Sequence, residues 1–165
     1  MLLHTILFYG GQCCGSVGTA IISYNYGISR WKEIEETRKL LLVTSTVIGL
    51  IVTMLFMVVP DKLVALFVDK SSEAGQIAID GFPYFAIGIV FFILNVAFIG
   101  YYQSVERIKR ATFLVFLRGL ILLVPSFLLL PRLLGVEGIW MAMPLAEIMT
   151  TIILLLFFGR YSKRS

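Results

Sequence analysis

The sequence predicts an all-α membrane protein of about five transmembrane helices, and three observations carry that prediction. Leu40 to Val59 and Gly81 to Val105 contain no Asp, Glu, Lys or Arg, Ala111 to Leu130 contains only Arg118, and Gly138 to Gly159 contains only Glu147. A helix rises ~1.5 Å per residue, so about twenty apolar residues cross a ~30 Å hydrocarbon layer. Of the 165 residues, 59% are hydrophobic, and the mean hydropathy of +0.94 lies far above that of a soluble domain, whose surface must meet water. Helices of this length leave short loops and no room for a soluble catalytic domain, so the chain reads as one transmembrane domain over residues 1–165.

The first span, about residues 2–22, is the weakest. Gly10, Gly11, Gly15 and Gly18 interrupt it, and Gly11-x-x-x-Gly15 fits the small-residue spacing that lets membrane helices approach. No Lys or Arg precedes its apolar run, so it does not read as a signal peptide, and an upstream part is expected. Cys13 and Cys14 are adjacent, too close for an unstrained disulfide, and are expected to be small buried residues. Tyr24-Asn25-Tyr26-Gly27 then stops the helix, because Asn and Gly tolerate left-handed backbone. Ser29 is expected to cap a short amphipathic helix, Trp31 to Lys39, with Trp31 at the membrane interface.

The second span, 40–59, carries Thr44, Ser45, Thr46 and Thr53, whose hydroxyls are expected to bond their own backbone carbonyls, and Pro60 ends it. Leu63, Val64, Leu66, Phe67 and Val68 predict a short helix lying on the outer membrane surface, and Ser71-Ser72-Glu73 a turn. The third span, 81–105, contains Pro83, Gly88, Asn95 and Gly100, with Asn95 near the bilayer centre. The fourth, 111–130, contains Arg118, Gly119 and Pro125, and the fifth, 138–159, contains Pro144 and Glu147. Prolines inside spans bend helices where neighbours satisfy the freed carbonyls.

Loop charge sets an expected orientation. The first and third loops and the tail hold ten Lys and Arg residues, the second and fourth loops three. The positive-inside rule places the richer set in the cytoplasm, which leaves the amino terminus outside a cytoplasmic (inner) membrane. The net charge of +4 is therefore read as topology, and no nucleic-acid partner is expected.

Charge at the bilayer centre costs ~2.5–3.5 kcal/mol on insertion scales, so something must offset it for Arg118 and Glu147. Arg118 lies eight residues past Arg110, about 12 Å along its span, and Glu147 eleven past Val136, about 16 Å along its own. Both fall near mid-depth, where they are expected to share a polar interior, paired or bridged by water. The rival reading has Arg118 snorkel to the surface and Glu147 bond a neighbouring helix. Asn95 is read either as helix–helix glue or as a ligand contact. Enzyme motifs are absent: His4 is the only histidine, and no phosphate loop, dinucleotide fingerprint or Ser-His-Asp set can be assembled. No enzyme activity, metal or cofactor is expected.

Ile21-Ile22-Ser23-Tyr24-Asn25-Tyr26-Gly27 resembles the segment after the eighth span of MATE (multidrug and toxic compound extrusion) transporters. Asn95 to Ser104, including Gln103, with Lys109, Leu117-Arg118, Leu123-Val124-Pro125 and Leu128 to Pro131, resembles the tenth and eleventh spans. Gly135-Val136-Glu137-Gly138-Ile139-Trp140 with Pro144 and Glu147 resembles the start of the twelfth. The resemblance implies part of the carboxy-terminal lobe of a twelve-span transporter, spans eight to twelve. It implies efflux of amphipathic organic cations coupled to inward H⁺ or Na⁺, with Asn95, Gln103, Arg118 and Glu147 as pathway candidates, and Tyr24, Asn25, Tyr26 and Gly27 as the turn motif. It further implies that the chain alone is inactive without a partner amino-terminal half, because alternating access needs two lobes. The family's Gln-Pro before Ile-Ile is Thr19-Ala20 here, and the tenth span lacks the acid that some members carry. The alternatives are a lipid-linked saccharide flippase of the same superfamily, which needs a more cationic cavity, and a small non-transporting membrane scaffold.

Overall fold

The computed structural model describes residues 17–65, 68–69 and 72–158, and every regular element among them is helical. In chain order these are α1 (17–27), α2 (Trp31–Val58), α3 (Pro60–Ala65), α4 (Glu73–Ser104), α5 (Ile108–Phe116), a π-helical segment (Leu117–Leu122), α6 (Leu123–Leu134) and α7 (Val136–Phe158). The chain is an all-α membrane protein: among the described residues four stretches, Trp31–Val58, Glu73–Ser104, Ile108–Leu134 and Val136–Leu156, are long and apolar enough to cross a bilayer. Most of the expected first span, with Gly10, Gly11, Gly15, Cys13 and Cys14, lies outside the described residues. Its helix runs on to residue 27, beyond the expected end at 22.

The corner between α1 and α2 corrects the expected turn. Tyr24, Asn25, Tyr26 and Gly27 form the last turn of α1, and the left-handed residue is Ser29, with φ 56°. The helix ends where the Ser29 N–H turns back to the Tyr26 carbonyl at 3.1 Å, and Asn25 bonds through both its side chain and its backbone. Its side-chain amide donates to the Ile21 carbonyl at 3.0 Å, and its own carbonyl accepts the Arg30 N–H at 3.0 Å. Ser29 caps nothing; Arg30 is the N-cap of α2 and makes no side-chain cap bond. The expected amphipathic helix at Trp31 to Lys39 is the first two turns of α2 itself, because no breaker separates it from the apolar run. Trp31 stays exposed, its ring edge-on to Tyr26. Ile22, Ile34, Leu41, Ala97 and Val105 bury together and gather this corner against the end of α4. Arg30, Lys32, Arg107 and Lys109 therefore share one basic end.

Helices α2 and α4 pack antiparallel, since their paired positions run in opposite order: Gly49 against Val90, Thr53 against Ala86, Phe56 stacked on Phe82 at 5.4 Å. Thr46 bonds its own Leu42 carbonyl as expected, but Thr53 donates across the interface to the Ala86 carbonyl at 3.0 Å. The surface helix expected after Pro60 is a six-residue cap that faces inward. Leu63 and Val64 are buried, Leu63 with Phe56, Ala86 and Ile89, because the apolar groove between α2 and α4 offers more contact than a headgroup layer. Leu66 and Phe67 lie outside the described residues. The turn expected at Ser72 is a helix start: Ser72 accepts the Gly75 N–H at 3.1 Å and α4 begins at Glu73, before the uncharged run. Its first turns, with exposed Glu73 and Asp80, extend past the apolar run.

Helix α4 ends in a tight corner with Glu106 at φ 55°, and Lys109 and Arg110 fall in the first turn of α5 rather than in a loop. At the far end Gly135, at φ 65°, reverses the chain between α6 and α7, a backbone state that L side chains resist.

Candidate polar site in the membrane interior

The site begins with a spacing on α4. Gly81, Gly88, Asn95 and Tyr102 recur every seven residues, which keeps them near one face of the helix. The neighbour on that face is α7, whose Trp140, Pro144, Glu147, Thr151 and Leu154 alternate steps of four and three. The two helices run parallel, because the pairs climb together. A Cβ on Gly81 would overlap the Trp140 indole, and one on Gly88 would stand 2.9 Å from Pro144 Cα. Small residues thus bring the backbones close enough for short side chains to reach across. Further along, Tyr102 and Leu154 bury together with Ile99, Ala111, Leu114 and Leu117.

Midway along this seam the groups are polar. The Asn95 amide donates to Glu147 Oε2 at 2.8 Å and to the Glu147 carbonyl at 3.0 Å. The Thr151 hydroxyl lies 3.0 Å from both Asn95 Oδ1 and the Glu147 carbonyl, one proton facing two acceptors. Asn95 is fully buried and Glu147 is 4% exposed.

The third contributor comes from the rod formed by α5, the π-helical segment and α6. Arg118, in the π-helical turn, places Nη2 2.7 Å from Glu147 Oε1. Its guanidinium also sits 4.5 Å over the Phe92 ring of α4, a cation–π contact. Each carboxylate oxygen of Glu147 thereby has its own donor. No buried side-chain nitrogen or oxygen among the described residues lacks a partner. That satisfaction matters, because an unpaired buried charge is the costly state. Glu147 is the hub of these contacts: one oxygen is held by a neutral amide, the other by a cation that is not fully buried (16% exposed).

The structure brings Asn95, Arg118 and Glu147 together by direct contact and leaves Gln103 out. Gln103 is exposed in the last turn of α4, on the basic end, because two turns of helix carry it away from Asn95. Tyr24, Asn25, Tyr26 and Gly27 lie at the same end, with Tyr24 exposed and Asn25 buried. Sequence reasoning missed Thr151 and Phe92. The signal for Thr151 was present: it stands one turn past Glu147, on the face that the seven-residue spacing aims at α4. Nothing in the sequence singles out Phe92 among the aromatic residues around it. No group of three or more His, Cys, Asp or Glu among the described residues is arranged to hold a metal ion.

Compared with known protein families, the chain matches the family described as MatE over residues 2–128. That segment includes α1 to α5, the π-helical turn and the start of α6, and so carries Asn95 and Arg118. No match is found among curated proteins or solved structures.

Proposed function

The chain belongs to the MatE family, a membrane transporter superfamily, and on that premise we propose that it forms the carboxy-terminal part of a secondary active exporter. The substrates are amphipathic organic cations, exchanged against inward H⁺ or Na⁺. The observation that carries this reading is the buried contact of Glu147 with both Arg118 and Asn95. An ionisable group held at that depth is costly, and such groups mark substrate and ion pathways. Glu147 is then the group that a cation addresses, Asn95 and Arg118 being the partners it trades. Gln103 stands at the basic end of the path, which faces the cytoplasm under the positive-inside rule. The flippase alternative is disfavoured, because Arg118 is already engaged by Glu147 and so does not present an open site for pyrophosphate.

Alternating access requires a second lobe, so the chain works with an upstream half supplying the remaining spans. The test is ethidium efflux from pump-deficient cells expressing the chain with and without an upstream half from the same genomic locus. Efflux is expected only with both, abolished by collapse of one gradient, proton or sodium, that drives it, and reduced at least tenfold by Glu147→Gln in protein still present in the membrane. Undiminished efflux in Glu147→Gln sinks the assignment of this site.

A further inference from the structure

We propose that the π-helical turn at Leu117–Leu122 is a rewinding hinge, and that the Arg118–Glu147 contact is its catch. Two independent observations lead there. The first is the backbone. The Leu123 N–H donates five residues back, to the Arg118 carbonyl, which marks a turn holding one surplus residue. Just beyond it Pro125 has no N–H and crowds the carbonyl four residues back, and the Ser126 hydroxyl bonds the Leu122 carbonyl at 2.8 Å. Gly119 faces open space: a methyl group added there would meet nothing within 4 Å among the described residues, so no described neighbour braces the wide turn on that side.

The second observation is asymmetric anchoring. The α5 side is held by buried Ala111, Leu114 and Leu117 in one cluster with residues of α4 and α7, whereas α6 lies along α7, closest where Gly138 faces the Leu130 carbonyl, buries only Ser126, and exposes Val124, Phe127, Leu128, Leu129, Leu133 and Leu134 on its other side. Arg118, inside the wide turn, grips Glu147 on α7 and covers Phe92 on α4. Release of Glu147 removes what holds the surplus residue in place. The turn then winds as ordinary α-helix, and α6 rotates relative to α5 by one residue's share of a turn, on the order of 100°. The hinge goes beyond the proposed substrates, because it concerns how this rod moves whatever cation is carried.

The experiment uses the full chain in lipid nanodiscs with Cys13→Ser and Cys14→Ser, and spin labels at exposed Ile87 on α4 and Leu129 on α6. Pulsed electron–electron resonance reads the distances between them. The unaltered site is expected to give one main distance, with any second population below about 10%. Glu147→Gln is expected to raise the second population at least threefold. Deleting Gly119 removes the surplus residue, so the combined variant with Glu147→Gln is expected to return to the first distance alone. A single unchanged distance in folded Glu147→Gln overturns the proposal. So does a second distance that survives the Gly119 deletion, since that would be loosened packing rather than rewinding. If circular dichroism shows Glu147→Gln unfolded, Arg118→Lys, which keeps the charge but not the planar fork, carries the same comparison.

Discussion

Helix α4 packs along two long helices, α2 and α7, and meets them differently. Against α2 it uses apolar surface: Gly49 under Val90, Phe56 stacked on Phe82, and one hydroxyl bond from Thr53 to the Ala86 carbonyl. Against α7 it uses the same small-residue approach at Gly81 and Gly88, then fills the middle with Asn95, Glu147 and Thr151. In lipid both contacts rely on close packing, since there is no water to expel. Among the described residues, only the α7 side holds a carboxylate, Glu147, paired with a cation. One contact is apolar but for a single hydroxyl bond, and the other encloses an ion pair at its middle.

The sharpest way to break that contrast is at the ion pair. Arg118→Leu or Glu147→Leu alone strands a buried charge and is expected to cost about 3–5 kcal/mol. The double substitution is expected to cost less than either single change, as read by reversible unfolding in mixed micelles. Equal or larger damage in the double would mean that the two groups are not coupled. Next comes the small-residue approach. Gly81→Ala forces the Trp140 ring aside and Gly88→Ala meets the Pro144 backbone, so each is expected to cost about 1–3 kcal/mol. On the α2 side Thr53→Val removes one interhelical hydrogen bond and is expected to cost about 0.6 kcal/mol, the average for such bonds in a membrane. Smallest of all, Gln103→Ala should leave unfolding unchanged, because that side chain is exposed in the last turn of α4. A stability loss there matching Thr53→Val would place Gln103 in contacts beyond those described.

Much of this was legible in the chain. Uncharged runs marked membrane helices, because lipid tolerates few charges and hides no unpaired backbone. Equal rise per residue put Arg118 and Glu147 at similar depth before any fold was known. Other features were not legible. The inward-facing cap at Leu63 and Val64 looked like a surface helix, since an apolar face reads the same whether lipid or protein covers it. The turn at Ser29 was hidden because Asn25 and Gly27 are stronger turn formers by type, yet Asn25 spends its amide on the Ile21 carbonyl inside the helix. The π-helical turn left only Pro125 and Gly119 as traces.

The amino acids by themselves determined solvent, helical class and depth, because hydrophobicity and helical rise are local properties that need no partner. Which oxygen of Glu147 meets which donor, and that Arg118 reaches it from a widened turn while leaning on Phe92, were decided only by tertiary structure. Those contacts join three helices, and their geometry depends on how closely Gly81 and Gly88 let two backbones approach, a distance that no single segment encodes.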